Sequence, residues 1–329
     1  MSIIRKFKVL INSRKLFRNW LSAGIKYYLV KYGLSKSNIT VKCCDGDFVL
    51  NPRTYSFIIS AYNDGVLKSV SCTNGLAGRL WGVVDFMVSN DGEPLLKMPD
   101  GVLLSLEPYD PTVLAETWLY EIHFLGFDLS DRLVIDIGAY VGDTALYYAR
   151  RGAFVVAVEP LPKNYETMLK NLELNPGLKH RVLPINAAVS DEDGITEITY
   201  SASVDGGASI YGGGRFSTKV RSMKLSTLIK EISNMGIDLG KFKVRVLKID
   251  CKGCEYDVIH EVNTLKLFDI IKIEYSGYLR GKTYHELKEV LEDLGFKCRV
   301  WAHNEYALKI GLDKHGILTC VKECKEMMR

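Results

Sequence analysis

The stretch LKIDCKGCEYDVI, residues 247–259, holds two pairs of side chains that could do chemistry. Cys251 and Cys254 have the CxxC spacing used by zinc sites and by thiol redox centres. Asp250 and Glu255 flank that pair. A carboxylate can orient or deprotonate a hydroxyl group, or hold a divalent metal that does so. The surrounding sequence decides which pair is the reactive one.

The cysteine pair has little support elsewhere in the chain. A structural zinc site needs four ligands, and Cys320 and Cys324 could supply two of them, but no cluster of cysteines or histidines lies near Cys251. CxxC at a strand-to-helix junction is also typical of thioredoxin-like proteins, of which the chain has no other feature. We predict buried thiols at Cys251 and Cys254, with a reversible disulfide as the alternative, and no metal ligands among them.

The remaining cysteines and histidines show no ligand spacing. Eight cysteines in 329 residues do not make a disulfide scaffold, so we expect most of them to be small buried residues of a cytoplasmic protein. The histidines include no H-E-x-x-H motif, and we predict that they are ordinary surface or hydrogen-bonded residues. They are His123, His180, His260, His285, His303 and His315.

The segment VIDIGAYVGDTA, residues 134–145, lies between a predicted strand and a predicted helix. Gly138 and Gly142 allow a tight turn and the close approach of a ligand to the backbone. Their spacing is not the G-x-G-x-x-G of dinucleotide enzymes, and Asp136 at the strand end would repel a pyrophosphate. A carboxylate there suits a cationic ligand, such as the sulfonium and amino groups of S-adenosylmethionine.

Glu159 ends the next predicted strand, 23 positions after Asp136. An acidic residue at that place can accept hydrogen bonds from both hydroxyl groups of a ribose. The alternative is a simple turn with solvated strand ends. The glycine segment, Glu159 and the parallel-sheet context together favour nucleoside binding.

Alternating strands and helices from residue 132 onward must position these residues. The pattern predicts an α/β fold with a mostly parallel sheet, helices on both faces and ligands at the carboxyl ends of the strands. A helix at 283–294 and two strands near 296–301 and 305–321 complete it. Asp250 ends the fourth strand, Glu274 ends the fifth, and Glu255 opens the helix between them. These three are the candidate catalytic residues.

Three stretches, VIDIGAYVGDTALYYARRGAFVVAVEPLPKNYETMLKNLELN, INAAVSDEDG and LKIDCKGCEYDVI, resemble the FkbM family of class I S-adenosylmethionine-dependent methyltransferases. The resemblance covers about residues 112–300 and implies the Rossmann-like sheet of that class. It implies that 136–144 form the cofactor loop, that Glu159 binds the ribose and that Asn186 to Ser190 lie near the adenine. Lys252 stands where the family usually has an acid. The implied cofactor-binding residues are Asp136, Gly138, Ala139, Tyr140, Gly142, Asp143, Thr144, Glu159, Pro160, Asn186 and Ala187.

Residues 1–110 are not covered by these motifs, and we predict that they form a region separate from 111–329. Residues 3–32 have the pattern of a basic amphipathic helix, bent or split at Gly24. Such a helix either packs on its own domain or touches a membrane surface or an acidic partner. Turn signals within 39–110 predict a small antiparallel β region. The stretch 112–127 predicts a helix.

The composition of the chain excludes some classes of function. The chain is 47% hydrophobic with a net charge of +4, too weakly basic for a nucleic-acid binder, and it has no apolar run long enough to span a membrane. We predict a cytoplasmic methyltransferase that uses S-adenosylmethionine to methylate a hydroxyl of a small molecule, glycan or lipid-linked sugar. A peripheral position at the membrane is the alternative location, and a divalent metal is a second cofactor candidate.

Other functions remain open. A nucleobase or tRNA methyltransferase is disfavoured because no Pro-Pro-aromatic motif follows the fourth strand. An NAD-dependent oxidoreductase is disfavoured by the glycine spacing, and a non-catalytic S-adenosylmethionine-binding protein by the intact acidic residues. The glycine-rich segment 204–214 is either a lid over the substrate or a surface loop.

Overall fold

The computed structural model describes residues 11–43, 46–73, 75–89, 92–105, 111–202 and 204–322. The chain divides into two compact units, Met1–Pro111 and Thr112–Arg329. Several predicted features lie outside the described residues: the start of the 3–32 helix, the turn at Asn90 and Asp91, Pro108, Ser203 and Cys324.

In the described part of the first unit, Ile11 and Asn12 are helical, a 3-10 turn spans Ser13–Lys15, and α1 spans Trp20–Lys31. The break between them falls before Asn19, whose side chain accepts a hydrogen bond from Lys42 N and donates one to Thr40 O. Gly24 is buried inside α1 and does not interrupt it, so the helix is not split at Gly24.

One side of α1 is apolar and open to solvent. Leu21, Ile25 and Leu29 follow one another at four-residue spacing and are all exposed. Helix packing within the unit therefore leaves this stripe uncovered by described residues. Contact of the stripe with a membrane surface stays a prediction, and no described helix is long and apolar enough to cross a membrane.

The rest of the first unit contains the predicted antiparallel strands. They are β1 Ile39–Lys42, β2 Asp47–Leu50, β3 Leu67–Ser71, β4 Ala77–Leu80, β5 Val84–Val88, β6 Pro94–Lys97 and β7 Leu103–Ser105, and α2 Pro52–Asn63 lies between β2 and β3. Strands β1 and β2 form a hairpin, and β3 to β7 form an antiparallel sheet in chain order. The sequence pattern missed α2, although Asn51 caps it by accepting a hydrogen bond from Thr54 N.

A short helix, α3 Pro111–Leu114, passes into a π-helical turn, Ala115–Leu119. The predicted helix 112–127 is therefore too long. It ends early because Glu121 has a left-handed backbone, with φ +47°, and no helix continues through such a residue.

The second unit contains the predicted alternation of strands and helices. Its elements are β8 Arg132–Ile137, α4 Asp143–Arg150, β9 Phe154–Val158, α5 Pro162–Glu173, α6 Pro176–Lys179, β10 Val182–Ile185, β11 Ala188–Val189, β12 Gly194–Tyr200, β13 Phe216–Met223, α7 Leu225–Asn234, β14 Val244–Ile249, α8 Glu255–Val258, α9 Val262–Leu265, β15 Ile270–Ser276, α10 Tyr284–Asp293, β16 Phe296–Trp301, α11 Glu305–Ile310 and β17 His315–Lys322.

The main sheet has the strand order β10-β9-β8-β14-β15-β17-β16 over the described residues. Within this sheet β10, β9, β8, β14 and β15 pair in parallel. Strand β17 runs antiparallel to both of its neighbours. The inner strands are buried along nearly their whole length, which explains their continuous valine and isoleucine runs. The predicted α/β fold with a mostly parallel sheet is confirmed.

The last predicted strand is partly wrong. Residues 305–310 form helix α11 rather than strand, because the Asn304 side chain caps it by accepting a hydrogen bond from Ala307 N at 2.9 Å. The strand itself starts only at His315. This shorter β17 inserts between β15 and β16 and places its first residue at the rim of the sheet.

At Cys251 and Cys254 the structure contains the disulfide that was the alternative to the predicted buried thiols. The structure joins Cys43 to Cys72, Cys251 to Cys254 and Cys298 to Cys320 as disulfides. Cys298 and Cys320 are direct partners across β16 and β17. Such pairings depend on strand register, which cysteine spacing does not reveal.

Ile273→Ala should lower the free energy of unfolding by about 2–5 kcal/mol, because Ile273 is fully buried in β15 and truncation leaves a cavity. The matched change Ile195→Ala, at a side chain that is 70% exposed in β12, should stay within about 0.5 kcal/mol. Urea denaturation followed by circular dichroism measures both. Equal effects would contradict the placement of β15 in the core.

Candidate functional site

The glycine loop after β8 and the end of β14 touch through their backbones. Asp250 N donates a hydrogen bond to Ile137 O at 2.9 Å. Gly138 has φ +79°, and a Cβ atom there would lie only 1.9 Å from Asp250 O. Only glycine fits this position, so the contact holds the predicted cofactor loop directly against the predicted catalytic strand end.

Asp136 lies below that contact and is fully buried. One carboxylate oxygen is 2.9 Å from Lys248 Nζ, and the other accepts a hydrogen bond from Thr144 Oγ1 at 2.5 Å. Burial disfavours the Lys248 ammonium, but the carboxylates of Asp136 and Asp250 raise the pKa of Lys248 above its usual value. The cation that Asp136 meets in the structure is therefore Lys248.

Asp143 and Tyr140 support the same loop. Asp143 is buried and accepts a hydrogen bond from Thr117 Oγ1 at 3.0 Å, and burial raises the pKa of its carboxyl to about 7. Tyr140 has an unusual left-handed backbone, with φ +50°. Ala139 is buried, and Gly142 precedes α4 with φ +80°. Left-handed residues of this kind often mark ligand-binding turns.

Glu159, at the end of β9, anchors the opposite side of the cleft. Its Oε1 accepts hydrogen bonds from Leu161 N and Asn164 Nδ2, and its Oε2 accepts one from Tyr140 N at 3.0 Å. Burial raises the pKa of Glu159 to about 8, although these donors act in the opposite direction. The predicted ribose-binding carboxylate thus also ties the glycine loop to α5.

Asn186, Pro160 and Ala187 lie where the next strand ends. Asn186 Nδ2 donates hydrogen bonds to Glu159 O at 2.7 Å and to Pro160 O at 3.1 Å. Ala187 is fully buried. The structure therefore brings these residues beside Glu159, with the Asn186 amide joining the two strand ends.

The glycine-rich segment 204–214 is held over these strand ends rather than standing free. Asp205 exchanges two hydrogen bonds with Asn164, through its N and O atoms, each at 2.9 Å. Further along, Ser209 Oγ donates to Lys252 O at 2.7 Å. Gly206 packs near the Tyr140 ring. The segment thus connects the cofactor side of the cleft to the β14–α8 turn.

Asp250, Lys252 and Glu274 form a charged bridge at the rim. Lys252 Nζ is 2.6 Å from Asp250 Oδ1 and 2.7 Å from Glu274 Oε1. Burial disfavours the ammonium, but the two carboxylates raise the pKa of Lys252 well above its usual value. Lys252 itself is left-handed, with φ +52°. A cation thus replaces the usual acid of this motif and joins two of the candidate catalytic carboxylates.

Burial raises the pKa of a carboxyl such as Glu274, but Lys252 and His303 outweigh it and lower the pKa to about 2. Glu274 therefore stays ionised in the neutral range. This makes it a fixed negative charge at the end of β15, suited to holding a cation.

Glu255 occupies a different environment. It is fully buried and accepts hydrogen bonds from Gly253 N at 2.8 Å and Ser276 N at 2.5 Å. Burial raises the pKa of Glu255 to about 7 despite these donors. Its carboxyl connects the β14–α8 turn to the end of β15, facing the protein rather than the cleft.

Sequence reasoning missed Glu116, His303 and His315, which the fold brings to the same rim. His303 Nε2 lies 3.8 Å from Glu116 Oε1 and 3.9 Å from Glu274 Oε2. Burial raises the pKa of Glu116 to about 7. Neither histidine is close to Glu274 in the sequence, so spacing carried no signal. The strand order was needed to find them.

A family model described as the methyltransferase FkbM domain matches residues 136–298. The chain contains an FkbM methyltransferase domain. The predicted resemblance is confirmed, and the chain is an S-adenosylmethionine-dependent methyltransferase. The FkbM domain includes the glycine loop, Glu159 and the Asp250–Lys252–Glu274 bridge, whereas Glu116, His303 and His315 lie outside the matched range.

Other known proteins are similar to this FkbM-domain chain. Methyltransferase sdnD of Sordaria araneosa is 23% identical over 209 residues, which are 54% of this chain and 80% of that protein. The crystal structure of methyltransferase FkbM from Methylobacillus flagellatus KT has a TM-score of 0.39 and 12% identity, covering 60% of this chain and 45% of that one. The crystal structure of Aeropyrum pernix fibrillarin has a TM-score of 0.38 and 15% identity, and the match covers 78% of this chain and 99% of that one.

Gly138→Ala should destabilise the fold by about 2 kcal/mol or more, because the new Cβ would collide with Asp250 O and the residue would keep a left-handed backbone. Gly177→Ala, at a glycine in α6 with no atom within 4 Å of the added Cβ, is the matched control and should be nearly neutral. Urea denaturation compares the two. Equal tolerance would show that the loop does not abut Asp250.

Proposed function

We propose that this FkbM-domain enzyme transfers the methyl group to a hydroxyl of a small molecule, a glycan or a lipid-linked sugar. The backbone contact between Gly138 and Asp250 carries the proposal. It places a side chain able to orient a hydroxyl directly beside the loop that the family uses for its cofactor. Methyl transfer requires the acceptor oxygen to be aligned with the methyl group, so this proximity is the decisive feature.

The residues present fit S-adenosylmethionine. Glu159 Oε2 accepts a hydrogen bond from Tyr140 N, which leaves its second lone pair able to receive a ribose hydroxyl. When bound, S-adenosylmethionine supplies a methyl group carried on a positively charged sulfur. Gly138 and Tyr140 both have positive φ, a conformation that often marks ligand-binding turns.

Asp250 is the residue that we expect to act on the acceptor. Its Oδ1 is paired with Lys252, and its Oδ2 is 4.0 Å from Lys248 Nζ, so the carboxylate has a fixed orientation. The side chain is 21% exposed, which leaves it reachable from the cleft. In the proposed reaction Asp250 would accept a hydrogen bond from the acceptor hydroxyl and take its proton. The acceptor oxygen would gain the methyl group as the S–CH₃ bond of the cofactor breaks, and S-adenosylhomocysteine would be released.

The other two candidate carboxylates have supporting roles in this proposal. Lys252 forms ion pairs with both Asp250 and Glu274. The proposed role of Glu274 is to keep the ammonium group in place beside Asp250. The carboxyl of Glu255 is occupied by two backbone N–H groups, which suits a residue that positions the turn. We propose Asp250 as the catalytic residue and Glu255 as a positioning residue.

Glu159→Gln should weaken the binding of S-adenosylhomocysteine by roughly tenfold or more, because a charged acceptor of hydroxyl hydrogen bonds is lost. The wild type should also bind more tightly as pH rises from 6.5 to 8.5. The raised pKa of about 8 leaves Glu159 largely protonated at the lower pH, whereas hydroxyl donors favour its ionised form.

Isothermal titration calorimetry at several pH values tests both effects, with Glu197→Gln, at an exposed residue of β12, as the control. The control should keep the wild-type affinity and pH profile, and Glu159→Gln should lose the pH-dependent component. A Glu159→Gln profile identical to that of the wild type would refute the ribose role.

Asp250→Asn should lower the methyl-transfer rate by about 100-fold or more while changing the Kd for S-adenosylhomocysteine by less than about threefold, because it removes the proton acceptor and not a cofactor contact. The assay uses methyl-labelled cofactor with a panel of small alcohols, glycans and lipid-linked sugars. Asp293→Asn, at an exposed residue of α10, should behave as the wild type.

A larger loss of cofactor binding than of turnover would make Asp250 a cofactor residue instead. The same assay is repeated with total tRNA as a further acceptor. Label that appears in tRNA and in no member of the hydroxyl panel would favour the nucleobase alternative over hydroxyl methylation.

A further inference from the structure

Glu274, His303 and His315 form a compact group of potential metal ligands at the rim of the sheet. Glu274 is near the end of β15, His315 begins the antiparallel β17 beside it, and His303 follows β16. One ligand atom from each residue lies within 4.8 Å of the others. Separate strands therefore converge on one point.

His315 is already oriented as a ligand. Its Nδ1 lies 2.9 Å from Tyr275 O, so Nδ1 carries the hydrogen and Nε2 keeps its lone pair. Histidines that bind metals commonly fix their tautomer through such a hydrogen bond. The ring is buried and packs edge-on against His303 and Tyr306. These contacts restrain rotation of the imidazole ring and so fix the position of Nε2.

His303 shows the strongest sign of a missing partner. Its Nε2 is 3.9 Å from Glu274 Oε2 and 3.8 Å from Glu116 Oε1, both longer than a hydrogen bond. Its Nδ1 has no acceptor or donor partner among the described residues, so Nδ1 can carry the ring hydrogen and leave the Nε2 lone pair available to a metal ion. A metal ion bonded to N and O atoms at about 2.1 Å separates its ligands by distances of this order.

The local charge leaves room for a cation. Lys252 contacts Asp250 and Glu274, Lys248 lies 4.0 Å from Asp250, and Glu116 lies beside His303, so three carboxyl groups meet two ammonium groups at this rim. Lys252 occupies Glu274 Oε1, whereas Glu274 Oε2 is the oxygen that faces His303. The carboxylate can therefore serve Lys252 and a metal ion at the same time, one through each oxygen.

We propose that Glu274, His303 and His315 bind a divalent first-row metal ion such as Zn²⁺. Two imidazole nitrogens and one carboxylate oxygen suit Zn²⁺, Mn²⁺ or Fe²⁺ better than the all-oxygen preference of Mg²⁺ and Ca²⁺. The site uses none of the cysteines. It shares the rim with Asp250 but does not depend on the proposed acceptor chemistry, since metal binding is measured without any acceptor.

Equilibrium dialysis of the full chain against micromolar ZnCl₂, followed by elemental analysis, tests the site after prior treatment with a chelator. The wild type should retain one Zn²⁺ that His303→Gln and His315→Gln lose, with affinity falling at least about 100-fold. His285→Gln, at an exposed residue of α10, should retain the ion.

The double variant Cys251→Ser and Cys254→Ser should also retain the ion. Absence of bound Zn²⁺ in the wild type, unchanged binding in His303→Gln, or loss only in the cysteine variant would each overturn the proposal.

Lys252→Gln gives a result that does not depend on losing a ligand. Removing the ammonium beside Glu274 should tighten Zn²⁺ binding by roughly tenfold, because like charges at this separation repel strongly in a buried setting. An unchanged or weaker affinity would mean that the ion binds away from Glu274. Circular dichroism confirms that each variant is folded, so a histidine variant that fails to fold leaves Lys252→Gln as the deciding measurement.

Discussion

The pairing of β8 with β14 is the constraint on which the whole site depends. The register places Ile137 opposite Ile249 at the two strand ends. One residue earlier, it places Asp136 opposite Lys248. A buried carboxylate and a buried ammonium must each have a partner, and here each is the partner of the other. If one of these strands slipped by one residue, its charged side chain would turn to the opposite face of the sheet and the ion pair would be lost. The ion pair therefore fixes the register, and the register brings Gly138 against Asp250.

Charge continues outward from that pair in alternating sign. Asp136 meets Lys248, Lys248 lies near Asp250, and Asp250 meets Lys252. Lys252 then meets Glu274. Each group is only partly exposed or fully buried, so removing any one leaves a neighbour with an uncompensated charge. The charged side chains around Asp250 are restrained by their partners, which is the preorganisation that the proposed methyl transfer to a hydroxyl would need.

Much of the fold could be predicted because its signals are local. Buried parallel strands such as β8 and β9 carry continuous apolar runs, and an acidic or glycine residue marks where each run stops. Helix α11 was missed because its apolar residues also fit a strand, and the cap at Asn304 outweighed them. His303 and His315 could not be paired with Glu274, because that pairing requires knowing that β17 inserts between β15 and β16. The role of Lys252 was hidden for a similar reason, since its side-chain direction follows from a left-handed backbone.

The disulfide between Cys251 and Cys254 encloses Lys252 and Gly253, both of which have positive φ. A covalent ring of this size restricts the backbone of the very residue that bridges Asp250 and Glu274. The disulfide thus helps to fix the position of the Lys252 ammonium group. In a reducing medium this disulfide would open, and Lys252 would be held by its ion pairs with Asp250 and Glu274 and by the hydrogen bond from Ser209 Oγ to Lys252 O. A change in the redox state of the surroundings would therefore alter the turn that positions Lys252 between Asp250 and Glu274.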